Sequence, residues 1–332
     1  MISFRLISKD NIEINSDYII NKIKESDKRR LAVFPDRLCY RLVNSESDLL
    51  PGLIIDRFQD NFSFQIFSAG MENFKNDIIS FLNRHYNANS VIEKNNNNLR
   101  ILEGLENLET VHINKTDLNE FLVNIDDINY SVNLIQGQKT GFYLDQSLNR
   151  KYLRNFIKPN QNILDLFCNE GGFALNASLA CSDCKITAVD SSDYAISKAI
   201  KNSELNNFKN INFICKDVFE FLKDDDNIYD VIILDPPSFT KSKKTIESAA
   251  KGYEQLNSDC LSKLKSGGLL FTFSCSHHIS AERFLNIISK SSAKSNRQIQ
   301  IIHFSDCSYD HPVLPQMPET KYLKEFIIRV IQ

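Results

Sequence analysis

The sequence predicts an α/β protein: a doubly wound, mostly parallel sheet preceded by a small N-terminal α+β domain. Three observations carry this. From about residue 115 onward, short apolar runs rich in β-branched residues alternate with segments of helical period, the pattern of successive βαβ units. Before that point strand-like runs and turn signals dominate. The chain of 332 residues is long enough for about two domains at roughly 150 residues each.

In chain order, ISFRLIS (residues 2–8) alternates as a strand, and a helix is expected near Asp17 to Arg30. YRLVNSESDLLPGLIIDRF carries a turn at Leu50-Pro51-Gly52 between β-branched runs. With NFSFQIF it reads as strands of a small antiparallel sheet. MENFKNDIISFLNRHY (71–86) has apolar residues at helical spacing, and SVIEK and LRILEGL read as a further strand and its exit. These make an α+β domain over about residues 9–112. Beyond it, 128–135 reads as a strand and 147–157 as a helix. Strands then fall at 162–167, 185–190, 210–215, 229–235 and 269–274. Helices follow near 171–181, 193–206, 217–223, 249–265 and 281–292, and QIQIIHF and EFIIRVI close the chain as strands. The second domain covers residues 115–332.

Bulk properties exclude some functions. The net charge of −3 does not fit a general nucleic-acid coating protein, so any RNA contact must come from local basic patches. Eight cysteines without a small-domain framework, and no charged-then-apolar N-terminal signal, read as reduced thiols of a cytoplasmic protein. No apolar run approaches the ~20 residues of a membrane span, so no membrane partner is expected. NNNN (95–98) reads as a polar loop.

In a doubly wound sheet the ligand lies beyond the carboxyl ends of the strands, near the point where strand order reverses. The first such end is ILDLFCNEGGFAL, with Asp165 and Gly171-Gly172 opening a helix. Glycines let a ligand approach the backbone, but the dinucleotide pattern of three spaced glycines is missing. Glu170 would repel a pyrophosphate, which disfavours a nicotinamide or flavin dinucleotide and an oxidoreductase. The plainer reading is a tight strand–helix turn. The second strand ends AVDSS. Asp190, 25 residues after Asp165, suits the two hydroxyls of a ribose, or caps the next helix; Asp193 is available for the cap, which leaves Asp190 free. Asp217 follows the third strand and is either an acceptor for an adenine amino group or an N-cap. The fourth strand ends LDPPSFTKSKK: Pro236 and Pro237 stiffen the loop behind Asp235, Phe239 can stack on a base, and Lys241, Lys243 and Lys244 can meet phosphates. After the fifth strand comes SCSHH, in which Cys275 is a nucleophile, a metal ligand or a packed thiol. A zinc site is disfavoured, because Cys181 and Cys184 have C-x2-C spacing with no second pair, and His277 and His278 on a strand would face opposite ways.

GFYLDQSLNR (141–150), ILDLFCNEGGF, AVDSS, CKDVFEFL, LDPPSFTKSKK, FTFSCSHH and DHPVLPQMPETKYLKEFIIRV (310–330), in this order, resemble class I S-adenosylmethionine-dependent methyltransferases. More closely, they resemble the bacterial large-subunit (23S) ribosomal RNA 5-methylcytosine methyltransferases, over about residues 2–332. YRLVNSESDLLPGLIIDRF looks like the small domain that precedes the catalytic domain there. Family members begin with an RNA-binding PUA domain, of which ISFRLIS, within residues 1–8, resembles only the last strand. The family's glycine loop carries Tyr-Thr where this chain has Asn169-Glu170, and an arginine or similar residue where Ser147 stands.

The resemblance implies a Rossmann-like catalytic domain, S-adenosylmethionine as cofactor with S-adenosylhomocysteine as product, and ribosomal RNA or its precursor particle as partner; a homodimer is compatible with it. It assigns Phe142, Asp145 and Arg150 to the cofactor, with Asp165, Cys168, Asn169 and Gly171 around its methionine part. Asp190 and Ser191 fall to the ribose, Asp217 and Val218 to the adenine, and Asp235 sits between methyl group and target base. Pro236, Pro237, Phe239, Lys241, His277 and His311 fall to the substrate. It also implies that Cys275 adds to C6 of a cytosine so that C5 attacks the methyl group, aided by a positive neighbour among His277, His278, His311 and Lys241. The DPPSF loop has no second cysteine to assist release, so another base is needed. Two alternatives remain open: a guanine N-methyltransferase with Cys275 a bystander, and an RNA-binding protein that only retains the cofactor cleft.

Overall fold

A computed structural model describes residues 5–115, 120–135, 137, 140–240 and 245–332. The chain divides into two compact units: Met1–Ser147 with Ser308–Thr320, and Leu148–Cys307 with Lys321–Gln332. The expected boundary near residues 112–115 therefore moves to 147/148. The later segment returns to the first unit because the Arg41 N–H donates to Asp310 Oδ2 (2.8 Å), Arg30 Nη2 to the Asp310 carbonyl (3.0 Å) and Asn44 Nδ2 to the Pro312 carbonyl (3.2 Å).

The first unit opens with α1 (Ser16–Val33), capped by Asn15, whose side chain accepts the Tyr18 N–H. β1 (Cys39–Asn44), β2 (Leu53–Phe58), β3 (Asn61–Ile66), β4 (Ser90–Asn95) and β5 (Leu108–Asn114) form one sheet in that order. β1, β2 and β3 pair antiparallel, as expected, and β4 joins β3 in parallel, so the whole sheet is mixed. The reason is the crossover through α2 (Ala69–Glu72) and α3 (Lys75–Tyr86), since parallel neighbours cannot be joined by a hairpin. Ile19, Ile23, Phe62, Phe64, Ile78 and Leu82 fill its core. LRILEGL begins as a short helix, α4 (Asn98–Leu102). β6 (Phe121–Ile125) and β7 (Ile128–Val132) pair as a separate hairpin. The expected first strand is absent over residues 5–8, and residues 2–4 lie outside the described set. Side chains hold that stretch instead: Arg5 pairs with Glu103 at 2.7 Å, and the Tyr18 hydroxyl donates to the Ile7 carbonyl.

In the second unit α5 (Ser147–Leu153) precedes β8 (Asn162–Leu166), α6 (Gly172–Ala180), β9 (Lys185–Asp190), α7 (Asp193–Leu205) and β10 (Ile211–Cys215). α8 (Val218–Asp224), β11 (Tyr229–Leu234), α9 (Ile246–Ser262), β12 (Leu264–Ser274), α10 (Ala281–Lys294), β13 (Ile299–Ser305) and β14 (Lys324–Val330) follow. The sheet order is β10-β9-β8-β11-β12-β14-β13, with β14 antiparallel to both neighbours and β8 to β12 mutually parallel. This is the doubly wound sheet that the βαβ alternation predicts. Both faces are covered: Leu164, Ile232, Leu234, Leu270 and Phe326 pack on one, Ile163, Ile233, Phe271, Phe273 and Ile327 on the other. That explains the near-continuous apolar strands in the sequence. The order reverses between β8 and β11, which places the expected ligand crevice at their carboxyl ends.

Candidate active site

The loop after β8 is folded by unusual backbone. Phe167, Asn169 and Gly171 have φ of 60°, 47° and 82°. For a bulky residue such as Phe167 this costs about 1 kcal/mol or more, and such strain clusters at ligand sites. At Gly171 an added Cβ would lie 3.2 Å from the Ala199 Cβ and 3.4 Å from the Phe213 ring, so both φ and space require glycine. At Gly172 an added Cβ would meet the Arg150 guanidinium. The loop is tied down by Cys168 N–H to the Val189 carbonyl (3.0 Å) and Gly171 N–H to the Cys168 carbonyl (2.9 Å). Burial pushes the Cys168 thiol up, and Asp165 and Asp190 add to it.

Asp165 is buried on β8, where its Oδ2 accepts the Ala174 N–H at 2.9 Å. Its Oδ1 is buried with no hydrogen-bond partner. Burial pushes the carboxyl up to about 8; Asp235 and Asp190 push the same way, while the Ala174 N–H and Arg150 pull it back. Asp190 ends β9. Its Oδ2 accepts the Asn169 N–H (2.9 Å) and its Oδ1 the Ser192 N–H (2.9 Å). It is thus not free, and the α7 cap is Ser192, which accepts the Ala195 N–H, instead of Asp193. A carboxylate has about four acceptor positions, so both oxygens of Asp190 still have room for a diol. Ser191 adjoins it and is exposed.

Asp217 is the α8 N-cap, its Oδ1 accepting the Phe219 and Glu220 N–H groups. Of the two readings open in the sequence, the cap is the one observed; Oδ2 is not used by it. Val218 beside it is buried. Glu170 is half-buried, and its carboxyl is pushed up to about 7 by burial, against the pull of Lys198 and Arg150. At neutral pH it is therefore only partly ionised, and its repulsion of a pyrophosphate is weaker than the sequence argument required.

β11 and β12 end side by side. Pro236 is buried, Pro237 exposed and Asp235 half-buried. The Cys275 thiol lies 3.9 Å from the Pro236 carbonyl oxygen. The Ser276 hydroxyl bonds to the Ser238 hydroxyl (2.9 Å) and the Tyr253 hydroxyl (3.1 Å), which ties the two strand-end loops and α9 together. Phe239 packs on Tyr253 with ring centroids 4.8 Å apart and faces Phe219 at 6.4 Å, so its ring anchors the loop in the core instead of standing open for a base. His277 and His278 lie in a turn past the strand end; His277 is exposed beside Tyr322 (5.4 Å). Lys241, Lys243 and Lys244 lie outside the described residues.

Phe142, Asp145 and His311 belong to the first unit. Phe142 packs on Tyr130 (4.8 Å), and the Asp145 carbonyl accepts the Ser308 N–H (2.8 Å). Ser147 accepts from Arg37 Nη1 at 3.0 Å. His311 is a correction: it is buried, with Nδ1 3.0 Å from Asp310 Oδ1, and so is not displayed for a substrate. Burial raises the Asp310 carboxyl, but His311 and the Arg41 N–H outweigh it and hold the group at about 2.

Two residues at the start of β14 escaped the sequence reading. Lys324 is buried, and its Nζ donates to the Ser276 carbonyl at 2.6 Å. Glu325 is buried with neither carboxyl oxygen hydrogen-bonded. Burial pushes Glu325 up to about 8; the Ser305 hydroxyl, which donates to Asn149, offsets this in part, and Asp235 adds to it. The available signal was two adjacent charges, Lys-Glu, leading directly into a buried apolar strand, since such residues are rarely buried without a reason.

The donor set fits S-adenosylmethionine. The orphaned Asp165 oxygen and the tight glycine loop suit its amino-acid part, and the remaining acceptor positions of Asp190 suit its ribose. No charged anchor for a pyrophosphate stands in the described part of the loop.

Comparison with known proteins agrees. A family profile described as Methyltransferase domain matches residues 157–321. The Ribosomal RNA large subunit methyltransferase I of Aliivibrio fischeri is 34% identical over 97% of this chain and 82% of its own length. The protein of the same name from Shewanella frigidimarina is 32% identical over 99% of this chain and 84% of its own length. A solved structure described as a methyltransferase complexed with SAH superposes with a TM-score of 0.85 at 26% identity, covering 98% of this chain and 84% of that one. With this identity along nearly its whole length and a strand-end site that fits the cofactor, the chain belongs to the ribosomal RNA large subunit methyltransferase I family, and it is an S-adenosylmethionine-dependent methyltransferase.

Proposed function

We propose that the protein transfers a methyl group to C5 of a cytosine in large-subunit ribosomal RNA, with Cys275 as the nucleophile. The substrate class rests on what the relatives' names say of those proteins. The position on the base rests on one observation: a thiol stands 3.9 Å from the Pro236 carbonyl at the carboxyl ends of β12 and β11, beside Asp235. Cytosine C5 is a poor nucleophile and needs activation. The Cys275 thiolate forms a bond to C6, the electron pair moves to C5, and C5 takes the methyl group. A base then removes the C5 proton, the C5–C6 double bond re-forms and the C6–S bond breaks. Bound S-adenosylmethionine supplies the methyl group on a sulfonium and leaves as a neutral thioether.

The chain's own groups divide the remaining work. Asp190 accepts from the ribose, and Asp165 holds the amino-acid end in a site that excludes water. Asp217 Oδ2 accepts from the adenine amino group. Asp235 accepts from the cytosine amino group or protonated N3 and holds the ring edge. Pro236 and Pro237 keep that carboxylate in place by fixing φ. The target nucleotide must leave its stack, at a cost of a few kcal/mol, or be presented single-stranded. A cytoplasmic location follows from that substrate. Among the described residues no helix is long and apolar enough to cross a membrane.

The test uses ribosomal RNA carrying 5-fluorocytosine, which cannot release its C5 substituent. The wild type is expected to form a covalent RNA complex stable to denaturant, and Cys275→Ala to form none and to lose methyl transfer by at least a thousandfold, on the order of 4 kcal/mol of barrier. Full methylation by Cys275→Ala would place the methyl group elsewhere, on an exocyclic amino nitrogen, and end this reading.

A further inference from the structure

The chemistry above needs a thiolate, and a thiol is largely protonated at neutral pH unless a positive charge stands near it. Of the groups that the sequence offered for this, Lys241 lies outside the described residues. His311 is buried in the first unit beside Asp310, and His277 is exposed against Tyr322. The buried cation at the end of β12 comes from β14. Lys324 is the register partner of Ser274, the residue before Cys275, and its Nζ donates to the carbonyl of Ser276, the residue after it. The backbone of Lys324 thus pairs with the residue before the cysteine, and its ammonium is bonded to the residue after it. Lys324 is 5% exposed, and among the described residues no carboxylate lies within ion-pairing distance of it. A buried cation without a carboxylate is costly, and a nearby anion relieves the cost.

We propose that Lys324 is the positioning residue that holds Cys275 in its reactive thiolate form; the inference rests on reading Cys275 as the nucleophile. The titratable groups facing Lys324 are Cys275 after β12, Cys307 after β13 and Lys321 just before β14. Burial pushes the Lys324 ammonium down to about 8, the two thiols push it back up, and Lys321 pushes it further down. Lys321 itself is paired with Asp306 at 3.1 Å, which moderates its effect. Of the two thiols, Cys307 is buried and Cys275 is half-exposed, so Cys275 is the one a substrate reaches. Lys324 is mostly charged at pH 7 and loses its proton as pH rises through about 8, so its support for the thiolate is greatest below that value.

The full-length protein is pulsed with iodoacetamide between pH 6 and 9.5, and alkylation is read cysteine by cysteine by peptide mass spectrometry. Exposed Cys215 is the internal reference. In the wild type at pH 7, Cys275 is expected to react at least tenfold faster than Cys215. Lys324→Met is expected to slow Cys275 at least tenfold and move its profile to higher pH, with Cys215 unchanged and the far-ultraviolet circular dichroism intact. Lys324→Arg, which keeps the charge, is expected to stay within threefold of the wild type. A folded Lys324→Met with wild-type Cys275 reactivity overturns the proposal. So does a wild type in which Cys275 reacts no faster than Cys215, a result that requires no variant to fold. Alkylation does not involve cytosine. A fast, Lys324-dependent thiol that traps no fluorocytosine RNA would therefore sink the cytosine reading and leave this one standing.

Discussion

The Cys275 sulfur and the Pro236 carbonyl oxygen are 3.9 Å apart, although 39 residues separate them in the chain. Two parallel neighbours, β11 and β12, end within two residues of each other, with Leu234 opposite Thr272, and their next residues come together. The stiff Asp235-Pro236-Pro237 turn and the cysteine are therefore held by different strands yet share one location. Rigid strands set such a distance better than a single flexible loop would, which suits chemistry that tolerates little misplacement.

The hydroxyl chain Tyr253–Ser276–Ser238 keeps the two loops in register. Ser276→Ala removes both bonds and leaves the buried Tyr253 hydroxyl without this partner. The expected loss is about 1–2 kcal/mol in urea denaturation. Methyl transfer measured under folding conditions is expected to fall more than the stability change explains. A variant with unaltered stability and rate would show that the loops hold their positions without the chain.

Asp190 joins the β8 loop to the start of α7 and is the proposed ribose acceptor. Asp190→Ala is expected to weaken S-adenosylhomocysteine binding roughly 10- to 100-fold by calorimetry, the worth of one or two lost charge-assisted hydrogen bonds. A change under threefold would mean that the carboxylate serves only the loop.

Glu325 gives a pH signature of its own. Its folded-state carboxyl is raised to about 8, above the ordinary unfolded value. Below the unfolded pKa both states are protonated and nothing is lost. As pH rises from about 4 toward 8, the unfolded chain ionises while the native group stays neutral. Native stability then declines, by up to about 5 kcal/mol, and levels off above the folded value. Glu325→Gln does not titrate. Chemical denaturation at pH 5 and pH 8 should show a smaller decline for the variant, with the variant at least as stable at pH 8. Equal declines in both proteins would remove Glu325 from the account.

The sequence by itself determined the local pattern. Period-2 and period-3.6 spacing fixed the alternation of strands and helices in the second unit to within a few residues, because each element's periodicity reflects a covering layer that every neighbour shares. The acids at the ends of β8 and β9, those just after β10 and β11, and the thiol after β12 were legible for the same reason: the carboxyl end of a strand is readable from the strand alone. What required the tertiary structure was everything set by pairing between distant segments. The antiparallel register of β14 on β12 brings Lys324 beside Ser274 and Glu325 beside Phe273. The return of residues 308–320 to the first unit buries His311 against Asp310, and the crossover through α2 and α3 adds β4 in parallel to the expected antiparallel strands. Periodicity records which side of an element is covered, but not by what. Register and burial of a charge depend on the covering partner, so the cation beside the thiol could be found only once β14 was in its place.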